Sequence, residues 1–327
     1  MFFSCSEIEN RMNQAGRDRA PFLFGVDFEM NEGFFIENPL VQSDVLFDIK
    51  GAGNSFSVGS SLFREVPPYS FEMRPEEFSV YEQRFKKVMN ALENGESALT
   101  NLTIKTPIKT SLSLIEIFFY SKSQYKIFIP GKFVCFSPEC FVKIENSKIS
   151  TFPMKGTIDA NAYNAEDIIL NDPKEIEEHL FVVELLKNEL SAVSDDVQVK
   201  RYRYIDILKT NRGRLLQVSS EIEGSLPSNY HNHLGSIIFK MLPAGSVSGT
   251  PKDSTVKVIR EAEQFDRYYY TGIAGYYNGS KLDSFVLIRH IEQNNEGMFF
   301  RSGGGITSKS ICRKEYKEAL RKVYLPF

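Results

Sequence analysis

Bilayer-length apolar runs, disulfide spacing and an excess of one charge are all missing from this chain. The most apolar stretch, Leu112 to Tyr120, is interrupted by Glu116 and falls short of the roughly 20 residues that a spanning helix needs. The formal net charge is -3, which gives no electrostatic case for nucleic acid as a partner. Cys5, Cys135, Cys140 and Cys312 have no Cys-x-x-Cys spacing, so neither a disulfide framework nor a zinc site is indicated, and reduced thiols in a cytoplasmic protein are expected. The N-terminal MFFSCSEIENRMNQ has neither a basic start nor a sustained apolar core, so no signal peptide is expected. There is no tryptophan beside 27 phenylalanines, a bias for which we have no physical account. No internal repeat, low-complexity tract or linker stands out.

What is present is ordinary for a globular enzyme: 327 residues, 42% hydrophobic and 25% charged, enough chain for a large core. Residues 1–70 read as short extended segments and turns, with Phe22 to Phe28 alternating as a strand and Pro67-Pro68 closing the portion. Tyr81, Phe85, Val88, Met89 and Leu92 recur at helical spacing, predicting a helix from Ser79 to Gly95. Leu99 to Ile104, Leu112 to Tyr120, Tyr125 to Ile129, Phe133 to Phe136, Phe141 to Ile144 and Lys148 to Phe152 read as successive strands, which favours antiparallel sheet. Asp172-Pro173 starts a helix whose stripe is Leu180, Val183, Leu186 and Leu190. Val197 to Tyr204 and Arg214 to Ile222 look extended. Helices are expected over Asn232 to Leu242, Asp253 to Phe265 and Arg313 to Val323, and strands over Tyr269 to Asn278, Ser284 to His290 and Met298 to Ser302.

Pro153-Met154-Lys155-Gly156-Thr157 is the stretch with chemistry in it. A glycine beside a lysine lets a ligand approach closely, and a desolvated ammonium near another cation becomes a nucleophilic amine. On these five residues alone a surface turn with a solvated lysine is the commoner arrangement. Glu175 and Glu178 are spaced i, i+3 on one predicted helix, and Glu315 and Glu318 share that spacing on another. Brought together, two such pairs would repel unless a cation lay between them, and magnesium suits carboxylates that bind it directly or through its waters. From spacing alone, solvated surface charge is the commoner arrangement. Gly245 to Lys252 lacks Gly-Lys-Ser/Thr and has Pro251 before its lysine, which excludes a phosphate loop. His231 and His233 have no third ligand at a sensible spacing and are expected to be helix-start residues.

Taken in order, these stretches resemble the chorismate-utilising enzymes. The matching motifs are Ser137-Pro138-Glu139, Pro153 to Thr157, Glu178-His179-Leu180 with Asn188 beyond, Gly245 to Lys252, Tyr270-x-Gly272-x-x-Gly275-Tyr276, Ile288-Arg289, Gly303-Gly304-Gly305-Ile306 and Glu315-Tyr316-x-x-Glu318. The match runs from about Ser79 to Phe327, with a weaker one over Phe22 to Met30. Residues 1–327 are accordingly expected to form one chorismate-binding catalytic domain. The resemblance implies an α+β fold in which two antiparallel sheets pack together with helices outside. It is greatest to the aminodeoxychorismate synthases, which implies amination of chorismate for 4-aminobenzoate and folate synthesis.

The roles that the resemblance implies are specific. Glu178 and Glu318 would bind magnesium directly, with Glu175 and Glu315 holding its waters. Tyr270 and Arg289 would hold the enolpyruvyl carboxylate, with Gly156, Thr157, Ser246 and Gly305 completing the carboxylate contacts. Lys155 would attack the ring at C2, and Glu139 would handle protons near the leaving C4 hydroxyl. With no cysteine in a nucleophile-elbow context, ammonia would come from a glutamine amidotransferase partner. Anthranilate synthases resemble this stretch but carry alanine at position 155, and isochorismate synthases use a lysine aligned near Leu99; both differences favour amination at C4. Three departures stand out. Leu215, Leu216 and Gln217 occupy the place of a family histidine, Glu184 to Glu189 replace Asp-Leu-x-Arg-Asn-Asp, and the glutamine usual near Leu99 is missing. The alternatives are an anthranilate or isochorismate synthase-like enzyme, or a catalytically silent chorismate-binding subunit.

Overall fold

Alternation along Phe22–Val26 sets the architecture. Phe22, Phe24 and Val26 face one apolar cluster and Leu23 faces another, so both sides of this strand are buried. In the computed structural model, which describes residues 1–55, 63, 65–210 and 213–327, it is a central strand of the first of two sheets. That sheet runs Phe2–Ser4, Glu32–Glu37, Phe22–Val26, Ile273–Tyr277, Leu282–Val286, Cys140–Glu145, then Lys148–Thr151 and Met154–Asp159, both paired with Gly213–Ser225. Asp195–Thr210 pairs with the far edge of Gly213–Ser225. The second sheet runs Gly249–Thr250, Leu99–Thr110, Gly297–Ile306, His290–Asn294, Phe133–Ser137, Tyr125–Ile129, Leu46–Ile49 and Ala52–Gly53, with Phe71–Met73 also on Leu99–Thr110. The strand pairs are antiparallel in both sheets.

The sheets pack on each other through Leu23, Ala274, Tyr276 and Phe285 from the first and Phe47, Tyr125, Ile127 and Phe133 from the second. A large side chain buried in this way contributes about 1.5–3 kcal/mol. Helices cover the outer faces. Cys5–Arg17, Pro173–Ser191 and Leu234–Lys240 lie on the first sheet. Phe78–Glu93, Lys252–Glu263 and Cys312–Arg321 lie on the second. The α+β arrangement expected from sequence is therefore present. Among the described residues, no helix is long and apolar enough to cross a membrane.

Several local expectations need correction. Leu112 to Tyr120 is not a strand: Leu114–Tyr120 is a helix. The Ser113 side chain accepts from the Glu116 N–H, and the Glu116 carboxylate accepts the Ser113 N–H at 2.8 Å. This capping box overrides the β-propensity of Ile and Phe. Ser113→Ala is expected to cost about 1 kcal/mol, read as a lower midpoint of chemical denaturation; an unchanged midpoint would mean that the cap does not hold this helix. A second box, Ser4 with Glu7, starts the Cys5–Arg17 helix in a portion read as extended. Tyr269 and Tyr270 lie in a turn, and the strand begins only at Ile273. The glycine run Gly303 to Gly305 lies inside the Gly297–Ile306 strand rather than after it.

Candidate active site

The stretch at Lys155 continues a sheet edge instead of ending it. Met154–Asp159 pairs with Gly213–Ser225 through Lys155 opposite Val218 and Thr157 opposite Gln217, so one residue, Gly156, is extra. Gly156 takes φ +79°, the left-handed conformation that glycine supplies at a bulge. Added there, a Cβ would stand 3.0 Å from Glu175 Oε2. The bulge thus sets Lys155 and the backbone beside the neighbouring helix.

That helix, Pro173–Ser191, brings the first carboxylate pair. Asp172 caps it, accepting from the N–H groups of Lys174 at 2.8 Å and Glu175 at 3.1 Å, and its dipole favours acidic residues at this end. Glu178 receives two lysines: Lys155 Nζ at 3.8 Å and Lys174 Nζ at 3.3 Å. Burial and the neighbouring Glu178 raise the Glu175 pKa against the pull of Lys155 and Lys174. The Cys312–Arg321 helix brings the second pair across the gap. Burial raises Glu315, with the charges of Glu318 and Glu178 adding to it. Burial also acts on Glu318, but Lys322 at 2.9 Å, with Lys155 and Lys174, outweighs it and lowers the pKa. Lys322 donates as well to the Gly303 carbonyl at 2.8 Å.

Glu139 closes the group from the connection between Phe133–Ser137 of the second sheet and Cys140–Glu145 of the first. Its carboxylate accepts from Ser246 Oγ at 2.7 Å. Burial raises its pKa, while the Ser246 bond and the charges of Lys155, Arg289 and Lys322 oppose the rise. Tyr270 is buried, and removal from water raises its hydroxyl pKa against the charges of Arg267 and Arg289. Arg289 sits at φ +54°, a conformation costing a side chain about 1–2 kcal/mol, and its carbonyl is held by the Phe136 N–H at 3.0 Å. Its Nε donates to the Tyr324 hydroxyl at 3.4 Å. Gly305 is half-buried on its strand opposite Asn101, and Thr157 has its side chain exposed.

One lysine therefore lies within electrostatic reach of Glu139, Glu175, Glu178 and Glu318. Among the described residues, no three carboxylate, histidine or cysteine side chains gather closely enough to hold a metal ion. Lys155, Lys174 and Lys322 instead take places beside the carboxylates that a divalent cation would contest. The donor set still fits a hard cation: all its atoms are carboxylate oxygens. A Cβ at Gly304 would lie 3.6 Å from Lys322 Nζ, 3.8 Å from Glu315 Oε2 and 3.9 Å from Glu318 Oε1, so the glycine borders the second pair.

Sequence reasoning missed three contributors. Lys174 and Lys322 stand four residues from Glu178 and Glu318, a spacing legible as an i, i+4 pair. Glu189, one of the departures, accepts the Gly245 N–H at 3.1 Å and pairs with Lys252 at 3.0 Å, which ties down the turn that carries Ser246. Leu216 is buried, and Gln217 lies opposite Thr157 where the histidine was expected. His179 is fully buried, with Nε2 2.7 Å from Ser220 Oγ. His231 bonds to the Tyr277 hydroxyl through Nδ1 at 2.7 Å.

Two facing antiparallel sheets with helices outside frame a lysine among glutamates brought by two helices. The chain belongs to the chorismate binding enzyme family, whose pattern matches residues 61–326. It is 46% identical over 316 residues to a protein of Haemophilus influenzae described as an uncharacterized PabA-like protein, covering 96% of this chain and 94% of that one. It is 27% identical over 257 residues to aminodeoxychorismate synthase component 1 of Bacillus subtilis, covering 75% of this chain and 54% of the relative. Among solved structures, a putative 2,3-dihydroxybenzoate-specific isochorismate synthase from Bacillus anthracis superposes with a TM-score of 0.72 at 19% identity, over 99% of this chain and 89% of that one. At that identity the likeness concerns the fold.

Proposed function

We propose that this protein aminates chorismate to 4-amino-4-deoxychorismate, opening 4-aminobenzoate and folate synthesis in the cytoplasm, with ammonia from a glutamine amidotransferase partner. The observation that carries the proposal is the position of Lys155, with its Nζ 3.8 Å from Glu178 and Glu139 within reach of its charge. Family membership supports chorismate as substrate. The Bacillus subtilis relative supports the reaction and, as a component 1, a second chain.

In this mechanism Tyr270 and Arg289 hold the enolpyruvyl carboxylate, a task for which the planar guanidinium fork is suited. Gly156, Thr157, Ser246 and Gly305 complete the carboxylate contacts. Lys155 passes its proton to a neighbouring carboxylate and its nitrogen bonds to ring C2. The ring double bond shifts, and the C4–O bond breaks as Glu139 hands a proton to the departing oxygen. Ammonia then adds at C4 and expels the lysine, so the net change is an amino group for a hydroxyl with loss of water. Magnesium, held by Glu178 and Glu318 with Glu175 and Glu315 on its waters, would supply charge withdrawal at the ring carboxylate.

The test gives the purified chain chorismate, magnesium and ammonium at alkaline pH and follows the products by mass spectrometry. 4-Amino-4-deoxychorismate is the expected product. Anthranilate or isochorismate in its place would overturn the proposed reaction. Silence that persists with glutamine and an amidotransferase added would favour a binding subunit without turnover. Glu178→Gln is expected to raise the magnesium concentration for half-maximal rate by about 10- to 100-fold; an unchanged requirement would sink the metal assignment.

A further inference from the structure

One buried guanidinium bonds to the loop of Ser246, to the turn of Tyr270 and to the strand paired with that of Gly305. Arg267 is 1% exposed and Glu263 is 3% exposed. All five N–H groups that an arginine carries are used. Nε donates to Glu263 Oε2 at 2.9 Å, and Nη2 donates to Glu263 Oε1 at 2.7 Å and to the Asn101 carbonyl at 2.6 Å. Nη1 donates to the Val247 carbonyl at 2.9 Å and to Thr271 Oγ1 at 3.3 Å.

The acceptors other than Glu263 are each one step from a group of the site. Val247 follows Ser246, Thr271 follows Tyr270, and Asn101 is the ladder partner of Gly305. The turn that presents Tyr270 is also strained. Tyr268 and Thr271 on either side of it take φ +52° and +62°, and for a β-branched residue such as threonine that is an outlier. Strain of this kind persists only where the surroundings over-determine it. Here Arg267 binds the threonine hydroxyl, while Glu29 accepts the backbone N–H groups of Arg267 at 2.8 Å and Tyr268 at 3.0 Å. Glu263 extends the brace by accepting the Thr103 N–H at 2.8 Å, and Thr103 lies opposite Gly303.

We infer that Arg267 is a positioning residue whose guanidinium fixes the spacing of Ser246, Tyr270 and Gly305 for the carboxylates of chorismate. This rests on the reading of those three groups as carboxylate contacts. A buried pair needed for stability alone would require only that Glu263 be neutralised, which a lysine can do. Spanning a loop, a turn and a strand at fixed separations needs the rigid fork, since an ammonium has three donors and a flexible stem.

Arg267→Lys separates the two roles. The expected result is a KM for chorismate raised about ten- to a hundredfold, with the ammonium and magnesium concentrations for half-maximal rate unchanged. Ser246→Ala and Tyr270→Phe, measured beside it, are expected to raise the same KM. If those two raise it and Arg267→Lys leaves it unchanged, the positioning role is overturned while the carboxylate reading stands. If none of the three moves it, the carboxylate reading falls and the inference falls with it. Should Arg267→Lys fail to fold, Arg267→Met combined with Glu263→Gln removes the charges together and avoids a lone buried carboxylate. The same KM is then measured on the double variant: a rise supports the positioning role, and an unchanged value overturns it.

Discussion

Lys155→Ala is expected to lose 4-amino-4-deoxychorismate formation by at least about a thousandfold in kcat while binding chorismate within a few-fold of wild type. The size follows from the proposed chemistry. Without the amine no bond forms at C2, so the C4 hydroxyl has no covalent route to departure. Unfolding would not explain such a loss. The Lys155 side chain is 34% exposed and its pair with Glu178 spans 3.8 Å, and exposed pairs of this kind contribute less than about 1 kcal/mol. Glu178 also keeps Lys174 at 3.3 Å. Intact-protein mass spectrometry gives a second readout: with chorismate and no ammonia, wild type should carry a ring adduct and the variant none. A variant with near-normal turnover would end the covalent role.

Glu139→Gln should move activity and stability in opposite directions. Glutamine retains an oxygen for the 2.7 Å bond from Ser246 but has no acidic proton to give the leaving hydroxyl, so kcat should fall about 10²- to 10⁴-fold. Burial raises the Glu139 pKa above its ordinary 4.5, so the folded state binds this proton more tightly than the unfolded chain does. The stability this contributes is complete below pH 4.5 and is lost as pH rises through the folded-state value. At neutral pH the half-buried charge is a cost that glutamine removes, the usual trade between stability and a functional group partly withdrawn from water. Melting temperatures of the two proteins should therefore diverge as pH rises, with the variant higher. A variant that melts lower at neutral pH would mean that the carboxylate stabilises the fold.

Much of this was legible in the chain because the informative residues were local. Asp172-Pro173 announced the Pro173–Ser191 helix, and the i, i+3 glutamates announced which flank of it is acidic. Motif order then supplied the pairing of distant pieces that no single spacing could. Competing local signals misled. In Leu112 to Tyr120 the apolar run concealed the Ser113–Glu116 box, and in Cys5–Arg17 the box at Ser4 was hidden among turn residues. Tyr269 and Tyr270 look like strand residues by type, yet the Arg267 brace holds them in a turn. That brace was illegible because two of its partners, at 101 and 247, meet Arg267 only on folding, while Glu263 four residues before it reads as an ordinary i, i+4 pair. Electrostatic encirclement of Lys155 was legible only in part: the glutamates stood out by their spacing, while Lys174 and Lys322, four residues from Glu178 and Glu318, did not.

The family pattern begins at residue 61, yet Phe22–Val26 is locked between Glu32–Glu37 and Ile273–Tyr277 in the middle of a sheet. During synthesis the first of these strands leaves the ribosome about 250 residues before its second neighbour exists, a delay of roughly 10–50 s at ordinary elongation rates. For that interval an edge apolar on both faces waits unpaired, the state in which a chain is most exposed to misassociation. A nascent chain stopped anywhere before Ile273 would therefore lack this sheet's closure whatever its length. Chaperone demand should fall only once Ile273–Tyr277 has emerged.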